Sequence, residues 1–195
     1  KIGEHSFTRD RKLGFDKIMT MMIKKSNKSL QNSINDTQLD LGEDATISNS
    51  AYTQARAKLN YTAFEEFAQL ARDLFYEDGE YETYKGFRLL AIDGSVTTLP
   101  NTNDVKKEFN PMKVKCQIKE FQKDVSQARI SCLFDVLNNI AIDASITNKN
   151  KSEDNDLIAY DERTLALQHL YDCTLNDLTL MDRGYPSFEL FAAVY

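Results

Sequence analysis

The sequence predicts an α/β fold preceded by an all-helical region, on three observations. Apolar residues recur at helical spacing up to about residue 76. After that point they form short runs and alternating patterns that are typical of strands. A helical pattern over residues 156–171 then separates two strand patterns, as expected of an α/β domain. We therefore place a helical region at residues 1–78 and an α/β domain at residues 79–195.

The helical region contains two predicted helical segments. Residues 6–25 combine a helically spaced apolar face with interleaved basic residues. Residues 48–76 form the second segment, with Ser48 or Ser50 as the first cap and Thr62 as a cap farther along. The stretch from Ser26 to Ser50 is polar and poor in long apolar runs, and we expect a turn at residues 41–44.

The α/β domain begins with a predicted buried strand. Residues 88–93 are an apolar run that ends in Asp93, and Gly94 is expected to break the strand there. Two alternating runs follow at residues 130–136 and 140–146, separated by Asn138-Asn139. Because Asn tolerates the positive φ of a tight turn, the two runs predict an antiparallel hairpin.

The last part of the sequence predicts a helix, a strand and a second helix. The helix covers residues 156–171, and the strand is a short apolar run that ends in Asp182. Gly184 breaks this strand, and Ser187 is a candidate cap for the helix that follows. The chain starts at Lys1 rather than Met and stops within an apolar stretch, so we expect it to be a fragment.

Charge is distributed unevenly along the chain, whose net charge is −6. Residues 1–30 contain eight Lys and Arg against three Asp and Glu, a balance of +5, whereas the rest contains 16 against 27, a balance of −11. This pattern is typical of a basic DNA-contacting arm on an acidic domain, but an ordinary solvated helix face explains it equally well.

Cysteine usage and hydropathy narrow the class of protein further. The three cysteines have no paired spacing, which supports neither a zinc site nor a disulfide framework and fits a reducing cytoplasm. No run approaches the length of a membrane span, so we expect no membrane partner.

Two carboxylates share one local pattern, since Asp93 and Asp182 each follow an apolar strand and precede a glycine-containing turn. If the two strands are neighbours, the carboxylates converge in the crevice at the strand ends. Carboxylate oxygens suit Mg²⁺ or Mn²⁺, and a pair of such ions can drive phosphodiester chemistry. The plainer alternative is that each Asp only starts a turn, and spacing alone favours that alternative.

Four motifs occur in order along the chain. They are Phe7-Thr-Arg-Asp-Arg-Lys-Leu-Gly-Phe15, Ser50-Ala-Tyr-Thr-Gln-Ala-Arg56, Tyr84-Lys-Gly-Phe-Arg-Leu-Leu-Ala-Ile-Asp-Gly-Ser95 and Asp182-Arg-Gly-Tyr-Pro-Ser187. Together they resemble DDE transposases of bacterial insertion sequences, in the subgroup with a Tyr-x2-Arg-x3-Glu-x6-Lys signature. Each motif is weak alone, and the four in order are specific.

The resemblance implies a ribonuclease H-like mixed sheet that is truncated before its third catalytic carboxylate. Asp93 matches the first catalytic and metal-binding Asp, and Asp182 matches the second. The signature segment with the third carboxylate has no counterpart among the 195 residues. Two Mg²⁺ or Mn²⁺ ions are implied for the complete enzyme, with no other cofactor.

Two alternative site assignments are weaker. Glu189 lies in the first turn of the last predicted helix, where the helix dipole explains an acidic residue without any catalytic role. Ile92-Asp93-Gly94-Ser95-Val96 is similar to the strand end of haloacid-dehalogenase phosphatases, but the nucleophile that those enzymes require two residues before Asp93 is Ala91. His5 and His169 lie in no triad-like pattern, and we expect structural or exposed roles for them.

The resemblance also implies double-stranded DNA as the partner, both element ends and target, and a homodimer on DNA. Candidate phosphate contacts are Arg9, Arg11, Lys12, Arg56 and Lys58, although ordinary solvated charge is the alternative for each. The expected function is metal-dependent cleavage of element ends and transfer of the 3′-hydroxyl into target DNA, in the bacterial cytoplasm at the nucleoid. The alternative is a non-catalytic truncated transposase that only binds element ends or partner subunits.

Overall fold

The structure is a computed structural model that describes residues 7, 12–24, 27–42, 46–115, 122–149 and 160–194. Within these ranges it has seven α-helices and a mixed sheet of five strands. The α/β class expected from the sequence is therefore confirmed. By its contacts the chain divides into two compact units, Lys1–Ala68 and Gln69–Tyr195. The division falls earlier than the expected boundary after residue 78.

The first unit is helical. It contains α1 (Phe15–Ile23), α2 (Leu30–Asp40), α3 (Asn49–Arg56) and the first part of α4 (Thr62–Tyr76). Its core consists of five buried side chains, namely Ile18, Met21, Ile34, Ile47 and Tyr52. As predicted, Ser48 caps α3, because its Oγ accepts a hydrogen bond from the Ala51 N–H at 3.2 Å. In the described part of the chain, no helix combines the length and apolar character needed to cross a membrane.

Helix α2 lies in the polar stretch between residues 26 and 50, where the sequence had indicated no helix. Ser29 caps the helix by accepting a hydrogen bond from the Asn32 N–H. Ile34 supplies an apolar anchor in the core, and the buried Gln38 accepts a hydrogen bond from the Ile47 N–H. Polar residues can therefore occupy the buried face, and the helix lacks the apolar stripe on which the prediction depended.

The second unit contains the sheet and the remaining helices. In chain order these are β1 (Arg88–Thr98), α5 (Asn103–Glu108), β2 (Pro111–Lys115), β3 (Gln122–Asp135), β4 (Ile140–Asn148), α6 (Glu162–His169), β5 (Asp177–Met181) and α7 (Phe188–Val194). A short 3-10 turn, Leu170–Asp172, extends α6. The sequence did not predict α5 or β2. It did predict the cap of α7, where Ser187 Oγ accepts a hydrogen bond from the Leu190 N–H.

The strands are ordered β2-β3-β1-β5, and β4 pairs with β3. The pairs β1–β3, β2–β3 and β3–β4 are antiparallel, whereas β1–β5 is parallel. The predicted hairpin is confirmed as β3–β4, and Asn139 in its turn has a φ of +56°. Helices α6 and α7 cover one face of the sheet, where the core residues are Leu90, Ile92, Leu133, Ile142, Ala166, Tyr185 and Leu190.

Candidate functional site

Strand pairing brings Asp93 and Asp182 to neighbouring positions. The parallel register of β1 and β5 runs from Arg88 opposite Asp177 to Ile92 opposite Met181. Asp93 is the next residue on β1 and Asp182 is the residue that follows β5, and neighbouring strands lie about 4.8 Å apart. Both residues are exposed. The two strands are therefore neighbours. This is the condition under which the sequence predicted that the two carboxylates converge.

The expected end of β1 at Asp93 is wrong. The strand continues to Thr98, because β3 goes on pairing with it past Gly94, as far as Thr98 opposite Gln127. The parallel partner β5 stops at Met181. Asp93 therefore lies where β1 loses its neighbour on one side only, which opens a crevice at the tip of β5.

Each carboxylate is anchored by a glycine N–H. The Gly94 N–H donates to Asp93 Oδ1 at 2.8 Å, and the Gly184 N–H donates to Asp182 Oδ1 at 2.5 Å. Within the described ranges, the second oxygen of each carboxylate has no hydrogen-bond partner. In each carboxylate, therefore, one oxygen is held by a glycine N–H and the other faces solvent.

Gly94 lets two side chains approach the backbone of β1 closely. A Cβ at this position would lie 3.3 Å from Glu162 Cγ and 3.3 Å from the Tyr185 hydroxyl oxygen. Arg129 on β3 forms an ion pair with Glu162 through its Nη1. Behind the two aspartates the site therefore contains a carboxylate that is already paired and a tyrosine hydroxyl, neither of which the sequence pattern had indicated.

Tyr185 is buried beneath this crevice, with 4% of its surface exposed. Burial raises the pKa of its hydroxyl, and the negative charges of Glu162, Asp93 and Asp182 raise it further. Its hydroxyl oxygen has no hydrogen-bond partner among the residues that the structure describes. The hydroxyl is therefore neutral and has an unused donor and acceptor close to Gly94.

The start of α6 forms a hydrogen bond with the loop that follows β5. Asp161 caps the helix by accepting a hydrogen bond from the Thr164 N–H at 2.8 Å, and this bond lowers the pKa of Asp161. Arg163 Nη2 donates to the Gly184 carbonyl at 3.2 Å. Because the Gly184 N–H holds Asp182, α6 helps to fix the position of the second carboxylate.

The residues present fit a divalent cation. Mg²⁺ is usually held by one or two protein carboxylates, with water or substrate phosphate as the remaining ligands. Asp93 and Asp182 supply that number of carboxylates, with one free oxygen each. No cluster of three or more His, Cys, Asp or Glu suited to a metal occurs in the described part of the chain. Glu189 lies in the first turn of α7, where the helix-dipole explanation for it applies.

The candidate DNA contacts belong to the other unit. Lys12 is exposed just before α1, Arg56 is the last residue of α3, and Lys58 follows that helix, also exposed. Arg9 and Arg11 lie outside the described residues. Exposed cations at a helix end are compatible with phosphate contact and equally with solvation, so these assignments stay predictions.

His169 lies in a hydrogen-bonded chain that the sequence analysis did not predict. Its Nδ1 is 2.7 Å from Asp143 Oδ2, and its Nε2 is 3.0 Å from Ser131 Oγ. This is a triad-like order, contrary to expectation. Ser131 is 1% exposed and His169 is fully buried. A serine without access to solvent cannot attack a substrate, so the chain is structural, as the sequence analysis expected for His169.

The chain matches no family model, no curated protein and no solved structure. The features that bear on its function are therefore the placement of Asp93 and Asp182 and the four sequence motifs.

Proposed function

We propose that this chain is part of a DDE-type DNA transposase with a ribonuclease H-like catalytic domain. The enzyme cleaves the ends of a mobile element and joins the freed 3′-hydroxyl to target DNA. The observation that carries the proposal is the placement of Asp93 and Asp182 next to each other where β5 ends beside β1. Each has one carboxylate oxygen anchored and the other available.

The sheet topology supports the fold assignment. An antiparallel β3–β4 hairpin lies on one side of β1, and β5 runs parallel to β1 on the other side after the α6 crossover. The resemblance implies a sheet with this strand order. It also implies that the catalytic aspartates lie on the first strand and on the parallel strand, which are the positions of Asp93 and Asp182.

The carboxylate pair suits phosphoryl transfer, in which the protein mainly positions groups and balances charge. Bound Mg²⁺ or Mn²⁺ ions supply activation of the attacking oxygen and stabilisation of the leaving oxygen. Asp93 and Asp182 would hold the ions, and the glycine N–H groups keep both carboxylates in place. The third carboxylate belongs to the signature segment, which the 195 residues do not contain. We therefore propose that this chain alone is inactive.

DNA recognition is assigned to the helical unit. Arg9, Arg11, Lys12, Arg56 and Lys58 would contact phosphates, which provide affinity without reading sequence. We further propose that the enzyme acts as a homodimer on paired element ends, in the cytoplasm of a bacterium. A non-catalytic protein that only occupies element ends or partner subunits is the second candidate. Reading the gene beyond the codon for Tyr195 separates the two candidates.

The test is strand cleavage by the protein encoded by the complete reading frame. Asp93→Asn and Asp182→Asn should each abolish cleavage of an element end, because an amide is a poor ligand for Mg²⁺, while DNA binding persists. Asp104→Asn, which changes an exposed carboxylate on α5, is the matched control and should keep wild-type activity. Retained cleavage in either site variant would refute the assignment. Robust cleavage by the 195-residue chain would refute the missing third ligand.

A further inference from the structure

Two buried polar atoms around the site have no hydrogen-bond partner among the described residues, namely Arg129 Nε and the Tyr185 hydroxyl, and the hydroxyl is the one beside Gly94. The ring packs in the core of the second unit, and its hydroxyl oxygen reaches the backbone of β1 beside Gly94. Phenylalanine would fill the same space, so packing alone does not require the hydroxyl.

A buried hydroxyl without a hydrogen bond is costly. Leaving a polar group unsatisfied in a protein interior costs roughly 1–3 kcal/mol. An orphan of this kind in a folded protein calls for an explanation, such as a catalytic role or an ion or water that completes the hydrogen bond. The Tyr185 hydroxyl has no partner within the described residues.

The surroundings of the hydroxyl indicate which partner is missing. Glu162, Asp93 and Asp182 raise the pKa of the hydroxyl, and Arg129 lowers it. Glu162 is already paired with Arg129. Asp93 and Asp182 each have one carboxylate oxygen without a hydrogen-bond partner among the described residues. A cation held by that pair would bring its water ligands into the region that the hydroxyl borders.

We propose that Tyr185 is a positioning residue for the cation, and that its hydroxyl hydrogen-bonds a water molecule on an ion held by Asp93 and Asp182. This inference rests on the proposed metal site and extends it to a residue outside the carboxylate pair. Groups that hydrogen-bond the ligands of a metal typically change its affinity by about 10–100-fold. The cost of the unsatisfied hydroxyl in the metal-free protein is then offset when the ion binds.

The test is Mn²⁺ binding by the 195-residue chain, followed through the electron paramagnetic resonance signal of free Mn²⁺, together with thermal unfolding without metal. Tyr185→Phe should weaken Mn²⁺ binding about tenfold. It should leave the unfolding midpoint unchanged or raise it, because the orphan hydroxyl is removed. A purely structural tyrosine would not produce this pair of results.

Tyr76→Phe is the matched control in the same unit. The Tyr76 hydroxyl donates to Asp135 Oδ2 at 2.6 Å, and Asp135 is fully buried. Removing this donor should lower the unfolding midpoint, because a buried carboxylate loses a partner, and should leave Mn²⁺ affinity unchanged. Both substitutions remove a phenolic oxygen. Tyr185→Phe is expected to weaken Mn²⁺ binding without lowering the unfolding midpoint, whereas Tyr76→Phe is expected to lower the midpoint without changing Mn²⁺ affinity.

Asp93→Asn and Asp182→Asn test the metal site separately from the role of Tyr185. If both abolish Mn²⁺ binding and Tyr185→Phe keeps wild-type affinity, the metal site stands and the role of Tyr185 is overturned. A Tyr185→Phe protein with a clearly lower unfolding midpoint would also overturn it, because the hydroxyl would then contribute to packing. If the wild-type chain shows no Mn²⁺ binding that depends on the aspartates, both the metal site and the inference fail.

Discussion

Arg88 and Asp177 form a buried ion pair where β1 and β5 begin. Arg88 Nε and Nη2 donate to the two carboxylate oxygens at 2.8 and 2.7 Å, and the Asp177 side chain is 2% exposed. Burial alone would raise the pKa of Asp177, but the hydrogen bonds from Arg88 and from the Thr174 N–H outweigh it and hold the pKa below its usual range. The pair therefore aligns the two strands that carry the candidate site.

Asp177→Asn is expected to lower the free energy of unfolding at pH 7 by about 3 kcal/mol, since it leaves Arg88 buried without its counter-ion. A carboxyl group with a lowered pKa in the folded state stabilises the protein above its unfolded pKa of about 3.9. That contribution disappears as the pH falls from there through the lowered folded value. Denaturant unfolding at several pH values should show that the variant loses less stability below about pH 4 than the wild type. Equal losses in both proteins would contradict this assignment.

At the scale of single residues, sequence patterns located the carboxylates and missed what surrounds them. Asp93 and Asp182 each follow an apolar run, and a local pattern of that kind is visible in the sequence. Glu162 and Tyr185 reach Gly94 only because α6 and the loop after β5 fold over the same strand. Contacts of this type depend on tertiary packing, and no spacing in the sequence encodes them.

At the scale of elements, His169 joins α6 to the β3–β4 hairpin. Ser131 belongs to β3 and Asp143 to β4, and both contact the imidazole. We expect His169→Leu to lower the free energy of unfolding by about 2 kcal/mol, because the buried Ser131 hydroxyl loses its partner. Chemical denaturation measures this loss. Ser131→Ala in the His169→Leu background should recover part of it, and no recovery would mean that the hydroxyl finds another partner.

The alternating apolar pattern correctly predicted the β3–β4 pairing, but its apolar positions are not on the buried face of β3. The apolar positions of β3 in the alternating pattern, Ile130 and Phe134, are only partly buried. The core face instead carries Ser131, Leu133 and Asp135. Two of these three are polar. Ser131 forms a hydrogen bond with His169, and Asp135 accepts one from the Tyr76 hydroxyl. Hydrophobic alternation identifies a strand, but it cannot identify polar residues that become buried through specific hydrogen bonds.

At the scale of the whole molecule, the basic excess is confined to the first part of the helical unit. The excess of basic residues lies within residues 1–30, inside the helical unit, and the acidic excess lies in the rest of the chain. The contact boundary falls within α4, which is one continuous amphipathic helix from Thr62 to Tyr76. Periodicity locates the end of a helix, whereas a contact boundary depends on which residues the helix touches.

The charge division leads to a prediction about DNA binding. Each phosphate contact that is neutralised contributes about 0.9 to the slope of log affinity against log salt concentration. Joint replacement of Arg9, Arg11 and Lys12 by Ala should therefore reduce the slope by about 2–3 and weaken binding to any duplex similarly. Fluorescence anisotropy with a labelled duplex at several salt concentrations measures the slope.

Lys85→Ala is the matched control for the salt experiment. Lys85 is an exposed cation of the second unit whose ammonium lies over the Tyr84 ring, so its removal changes net charge without touching the basic arm. The control should keep the wild-type slope, because counterion release counts phosphate contacts rather than the charge of the whole protein. If the control and the triple variant changed the slope by the same amount per charge removed, the overall field of an acidic protein would explain the binding. The assignment of the basic arm to DNA would then fall.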